Sequence, residues 1–197
     1  YVVLRFLFTV FGPAYGFVGL TFEYIFLPLA ILAMFIGSTA AIYQTNLKRL
    51  FAYSSVAQLG YIVLGIALGN IAGLTATVLH LFNHALMKGA LFMALGCVAL
   101  RIGAVSINGV RGLGREMPWT FAAMAGAGLS LIGVPSTVGF ISKWYLILGA
   151  LENGWWPVAL LIVASSLLAV IYVWKIIEAA YFGVVPEGRG PIAEAPL

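Results

Sequence analysis

The chain has 197 residues, 63% of them hydrophobic and only 8% charged, with a net charge of +4. A soluble domain carries about 25% charged residues, so a mean hydropathy of +1.09 excludes an ordinary soluble fold and places the chain in a lipid bilayer. The single cysteine, Cys97, offers neither a disulfide framework nor the spacing of a metal site, and packing between helices is its expected role.

The apolar run Tyr1 to Val10 is too short to cross a hydrocarbon core, which needs about 20 residues, and reads as the tail of a helix closed by Gly12 and Pro13. Glu23 marks a polar flank before a complete span from Ile25 to Tyr43. A second span runs from about Phe51 to Leu68, and Gly69-Asn70 turns the chain into a third from about Leu74 to Leu100. The next apolar region, Trp119 to Leu151, would be about 50 Å long as one straight helix, well beyond a core of about 30 Å. Gly133, Pro135 and Gly139, with the hydroxyls of Ser136 and Thr137 between them, predict a broken helix at this point. A last span covers Trp156 to Phe182. The tail from Val184 to Leu197, with three prolines, reads as exposed and disordered, so residues 1–183 form the expected membrane domain and 184–197 a separate tail.

Charge placement orients these spans. Lys48 and Arg49, then Arg101, Arg111 and Arg115, then Lys175 and Arg189 fall on one side, whereas the alternate connections hold Glu23, an uncharged turn at Asn70, and Glu152. The basic side is the expected cytoplasmic side. Tyr24, Trp119, Trp155, Trp156, Tyr172 and Trp174 stand near span ends, as an aromatic belt would place them. Lys175 and Glu178, three apart, read as an interfacial pair, and Asn83 as a hydrogen-bonding group between helices.

The chemistry lies within the spans. His80, His84 and Lys88 are spaced by four, and each such step climbs about 6 Å and drifts about 40° around a helix, so the three share one face. An ionisable side chain at membrane depth costs about 2.5 kcal/mol or more, and three in a row predict a polar path through the protein interior. Lys143, just beyond the Gly133-Pro135-Gly139 break, returns to mid-depth if the helix is interrupted there. Broken helices of this kind line ion sites in transporters. No nucleophile elbow, phosphate-binding glycine loop or cluster of metal ligands appears, so no cofactor, catalytic residue or nucleic-acid partner is expected.

Three segments resemble a known family. Gln44-Thr45-Asn46-Leu47-Lys48-Arg49 through Tyr53-Ser54-Ser55-Val56-Ala57-Gln58-Leu59-Gly60-Tyr61 is similar to the QxDxKRxxAYSSxxQxGY motif of antiporter-like membrane subunits. These subunits occur in respiratory complex I and in Mrp-type cation/proton antiporters. His80 through Phe92 resembles the family's HxxxHxxxKxxLF helix, and Gly133 through Lys143 its GxPxxxGFxxK broken helix. The overall wording is most similar to the D-type subunit of Mrp antiporters.

The resemblance implies an all-α polytopic bundle with one broken transmembrane helix, part of a larger subunit in a bacterial plasma membrane. It further implies a proton relay of Lys143, Lys88, His84 and His80, with Lys48 and Arg49 as accessory groups. Asn46 stands where the complex I subunits usually have Asp, which removes a partner for Lys48 or Arg49. An intramembrane Glu and a Lys of the family would lie upstream of Tyr1. The first expectation is a Na⁺/proton antiporter subunit acting with other membrane subunits. The alternative is a proton-pumping subunit of NADH:quinone oxidoreductase driven by quinone reduction elsewhere, and a third is a non-transporting assembly subunit.

Overall fold

The computed structural model describes residues 1–12, 23–103, 105–186 and 188–195. Among these residues the regular structure is helical. α1 (Val2–Phe6) continues into a π-helical stretch, Leu7–Phe11. Gly12 follows in a positive-φ conformation, and Pro13, the other expected terminator, lies outside the described residues. Then come α2 (Glu23–Ile42), α3 (Leu47–Ala67), α4 (Ile71–Ile102), the single turn α5 (Leu113–Glu116), α6 (Pro118–Ile132), α7 (Val138–Glu152) and α8 (Trp156–Phe182). Four of these, α2, α3, α4 and α8, are long and apolar enough to cross a membrane.

α3 begins four residues earlier than its apolar stretch suggests, because Asn46 caps it: the side-chain oxygen accepts from the Lys48 and Arg49 amides at 2.9 and 3.3 Å. Lys48 and Arg49 themselves are exposed in that first turn. α3 is buried along most of its length and forms the centre of the bundle, with α2 and α4 against it and α7 and α8 beyond. α2 meets α3 where Gly37 and Gly60 leave no room for a side chain, the close approach by which membrane helices associate.

The two ends of the bundle are built differently. At the basic end, residues 45–47 pair with 105–107 through Leu47 N–H to Val105 O (2.8 Å) and Ile107 N–H to Thr45 O (2.9 Å). Lys175 departs from the expected pairing with Glu178. Its ammonium donates to the carbonyls of Ile42 (3.1 Å) and Gln44 (3.2 Å), capping the α2 C-terminus, where a cation is electrostatically favoured. At the opposite end Asn70 caps α4 through Gly73 N–H (2.8 Å) and donates to Gly149 O and Asn153, so the turn clamps α4 to the end of α7.

The tail carries no helix or strand among its described residues, yet it lies across the basic end. Arg189 donates to Gly109 O (3.1 Å) and Arg111 O (2.7 Å) and stands 3.6 Å from Glu116. The Glu194 carboxylate accepts from the Trp119 and Thr120 amides and the Thr120 hydroxyl at 2.7, 3.0 and 2.8 Å, which caps α6 from outside the helix.

Candidate functional site

The break between α6 and α7 is built from the residues that signalled it. Gly133 ends α6 at φ 88°, a left-handed conformation that glycine adopts without strain. Thr137 then caps α7, its hydroxyl accepting from the Phe140 amide. The two half-helices touch at Gly139, where a Cβ would lie 1.8 Å from Ser130 O. Gly139 N–H donates to Ser130 Oγ (3.1 Å), and Asn83 on α4 donates to Val138 O (2.7 Å), so freed backbone groups find partners inside the protein.

This geometry sends Lys143 back toward the end of α6. Its stem crosses Gly133, and its ammonium donates to Leu131 O (3.0 Å), Ile132 O (2.8 Å) and Ser166 Oγ on α8 (3.0 Å). The free carbonyls at a helix C-terminus carry partial negative charge and suit a cation. The Tyr61 ring packs on the other side, 4.6 Å from Nζ to centroid. Lys143 is buried, and among the described residues no carboxylate pairs with it.

Tyr61 also packs edge-on to His80, with centroids 5.5 Å apart, and so stands between the lysine and the histidine. His80 is fully buried. Its Nδ1 lies 2.8 Å from Ser142 Oγ on α7 and its Nε2 3.0 Å from Gln58 Oε1 on α3. One turn further along α4, His84 is half-buried, and its Nε2 has no hydrogen-bond partner among the described residues. Another turn on, Lys88 is buried and donates to Phe51 O (2.7 Å) and to Ser54 Oγ, with its ammonium 5.7 Å from the Phe51 ring centroid.

The four residues singled out by spacing and motif therefore lie in one interior region bounded by α3, α4, α7 and α8. Lys48 and Arg49 are not part of it, being exposed at the basic end. Sequence reasoning missed Gln58, Tyr61, Ser54, Ser142 and Ser166, which supply the hydrogen bonds and the ring contact. Ser54, Gln58 and Tyr61 stand in the first of the three family-like segments, which gave them no role, while Ser142 and Ser166 signalled only as polar groups within apolar runs, and the helices that bring these residues to His80 or Lys143 are far apart in the chain. Tyr172, expected in the aromatic belt, is instead fully buried inside the bundle, with its hydroxyl unpartnered among the described residues. Tyr24, Trp119, Trp156 and Trp174 are exposed, as belt residues are.

Comparison with known proteins agrees with this architecture. Residues 1–169 match the family described as NADH:quinone oxidoreductase/Mrp antiporter, transmembrane. NADH-quinone oxidoreductase subunit N of Desulforudis audaxviator is 46% identical over 169 residues, 86% of this chain and 34% of that protein. The chain thus spans about a third of the length of that curated relative. A chain of the Mrp complex from a Dietzia species superposes with a TM-score of 0.80 at 31% identity, over 86% of this chain and 32% of its own. A chain of respiratory complex I from Thermus thermophilus shares the fold, with a TM-score of 0.82 at 23% identity over 98% of this chain and 40% of its own. The expectation that put the Mrp D-type subunit first is reordered, because the curated relatives at 34 to 46% identity carry the name of the complex I subunit N. The chain is a multi-pass integral membrane protein belonging to the NADH:quinone oxidoreductase/Mrp antiporter transmembrane family.

Proposed function

We propose that this chain carries part of the proton path in a membrane subunit of an NADH:quinone-oxidoreductase-type respiratory complex, working beside other membrane subunits in a bacterial plasma membrane. One observation supports this most: two buried lysines without a carboxylate partner among the described residues, Lys143 and Lys88, lie at either end of a histidine pair in a helix bundle's interior. Lysine and histidine can both gain and lose a proton at membrane depth, and groups of this kind mark proton relays.

In this reading a proton passes from Lys143 past Tyr61 and Ser142 to His80, then along the face of α4 through His84 to Lys88. Successive groups on α4 are about 6 Å apart along the helix axis, beyond a direct hydrogen bond, so water completes each step. The unpartnered Nε2 of His84 is a position from which a water can be bound. The carbonyls of Leu131 and Ile132 hold Lys143 while it is charged, and the neutral amine leaves them more easily.

The likeness to the Mrp complex supports a second reading, a subunit exchanging protons for a monovalent cation such as Na⁺. Inverted membrane vesicles bearing the full-length complex separate the two. The proposal expects a pH gradient that forms on adding NADH and quinone and does not form with a sodium gradient alone. A sodium-driven pH gradient without NADH would replace it by the antiporter reading.

A further inference from the structure

His80 has a donor and acceptor problem that points to its neighbours. The Ser142 hydroxyl lies 2.8 Å from Nδ1 and 3.1 Å from Gly139 O, and its one hydrogen can serve either of them. The Gln58 group beside Nε2 is the amide oxygen. While that hydrogen is on Gly139 O both ring nitrogens face acceptors, an arrangement that suits the doubly protonated ring, because neutral imidazole carries a single N–H. His80, Gln58 and Ser142 are all fully buried, so a lost hydrogen bond there is not replaced by bulk water. When the ring releases a proton, one of its two partners has to become a donor.

Ser142 can turn its hydrogen from Gly139 O to Nδ1, or the Gln58 amide can turn over and present its NH₂ to Nε2. The surroundings favour the second. Tyr172 on α8 is fully buried with its hydroxyl unpartnered, and that hydroxyl faces the side chains of Gln58 and Ser54 without closing a hydrogen bond to either. Turning the amide exchanges its two ends, and the oxygen freed from His80 becomes an acceptor for the Tyr172 hydroxyl. A turn of Ser142 satisfies no further group.

We infer that Gln58 is a positioning residue of the relay, whose amide turns over as His80 loses or gains a proton, and that the Tyr172 hydroxyl is the partner that holds the turned-over form. The inference rests on the relay reading given above. It also links the two ends of that relay. Ser54 Oγ accepts from Lys88 and donates to Phe51 O (3.0 Å), which leaves one lone pair for Tyr172 when the amide is not turned toward it. The Tyr172 hydroxyl thus alternates between the lysine side and the histidine side, a connection parallel to His84. Among the described residues the titratable groups around His80 are Lys143 from α7, His84 from its own helix and the Tyr61 phenol from α3, with the Tyr172 phenol from α8 beside Gln58.

The test is NADH-driven pumping by the full complex in inverted vesicles at matched subunit abundance, read as rate and as pH profile for Tyr172→Phe, Gln58→Glu and Lys143→Ala. Tyr172→Phe removes one oxygen and keeps the ring, so assembly is retained. It is expected to slow pumping about three- to tenfold and to move the pH profile upward, because the neutral form of His80 loses its support. Gln58→Glu offers acceptors only and a negative charge that holds the imidazolium, so a loss of about tenfold and a larger upward shift are expected. If Lys143→Ala stops pumping while both other variants match the parent in rate and pH profile, the amide switch is overturned and the relay stands. Normal pumping by Lys143→Ala overturns the relay and the switch with it. If Gln58→Glu fails to assemble, Tyr172→Phe decides alone.

Discussion

Lys88 is buried at a cost that its partners do little to offset, as the proposed relay requires. Among the described residues its ammonium has neutral acceptors only, Phe51 O and Ser54 Oγ, and no carboxylate to offset the cost of burying charge. Lys88→Met fills the same volume with an uncharged chain, and replacing buried charge by a matching apolar group is often neutral or stabilising. The variant is therefore expected to leave the thermal stability of the assembled complex unchanged or slightly raised while NADH-driven pumping falls at least about tenfold, both measured on the same purified preparation. The four-residue spacing made the common face of His80, His84 and Lys88 legible from sequence alone. It said nothing of Gln58 or Ser142, because the contacts to His80 join residues 22 and 62 positions apart. Tyr172 was misread for a related reason: its place in an apolar run looks like a span end, and only packing against α3 shows that it points inward.

Among the elements, the broken helix was the most legible. Length alone required an interruption between Trp119 and Leu151, and Gly133 and Pro135 located it at residues 133–137, between Ile132 and Val138. Less legible was why the second glycine is needed, since Gly139 has an ordinary helical position and its constraint comes from the facing half-helix. A methyl group there would meet Ser130 O at 1.8 Å, and backbone cannot swing aside as a side chain does. Gly139→Ala is expected to destabilise the subunit by about 3 kcal/mol and to lower its abundance in membranes, as quantitative immunoblotting of the assembled complex would show. The start of α3 was misplaced by four residues because an apolar criterion overlooks a polar cap. Asn46, noted for the Asp it replaces, was also the N-cap signal.

At the scale of the whole molecule, the basic connections and the tail gather at one end and tie α4, α6 and α8 together. Charge counting anticipated the common side of the loops; composition did not anticipate that Glu194 would cap α6. Desolvation raises the Glu194 carboxyl, but the hydrogen bonds from Thr120 and Trp119 outweigh it and hold the group below its ordinary value of 4.5. A depressed carboxyl stabilises the docked tail at pH above that ordinary value, and the contribution is lost as pH falls through the lower value of the folded state. Hydrogen-exchange protection of the Trp119 and Thr120 amides is expected to be full at pH 7 and to fall in acid, and Glu194→Gln is expected to weaken it at pH 7.

Those contacts hold α6, and α6 in turn offers Lys143 the carbonyls of Leu131 and Ile132, so the fold converges on one ammonium group. The most direct measurement is NADH-driven pH-gradient formation by the full-length complex carrying Lys143→Arg, in inverted vesicles at matched abundance. Arginine keeps the positive charge and donates to the same carbonyls, but it does not give up its proton at any pH the protein survives. The account predicts pumping reduced by at least about tenfold in an assembled complex. Pumping close to the parent rate would show that Lys143 serves as a fixed charge and would contradict the relay.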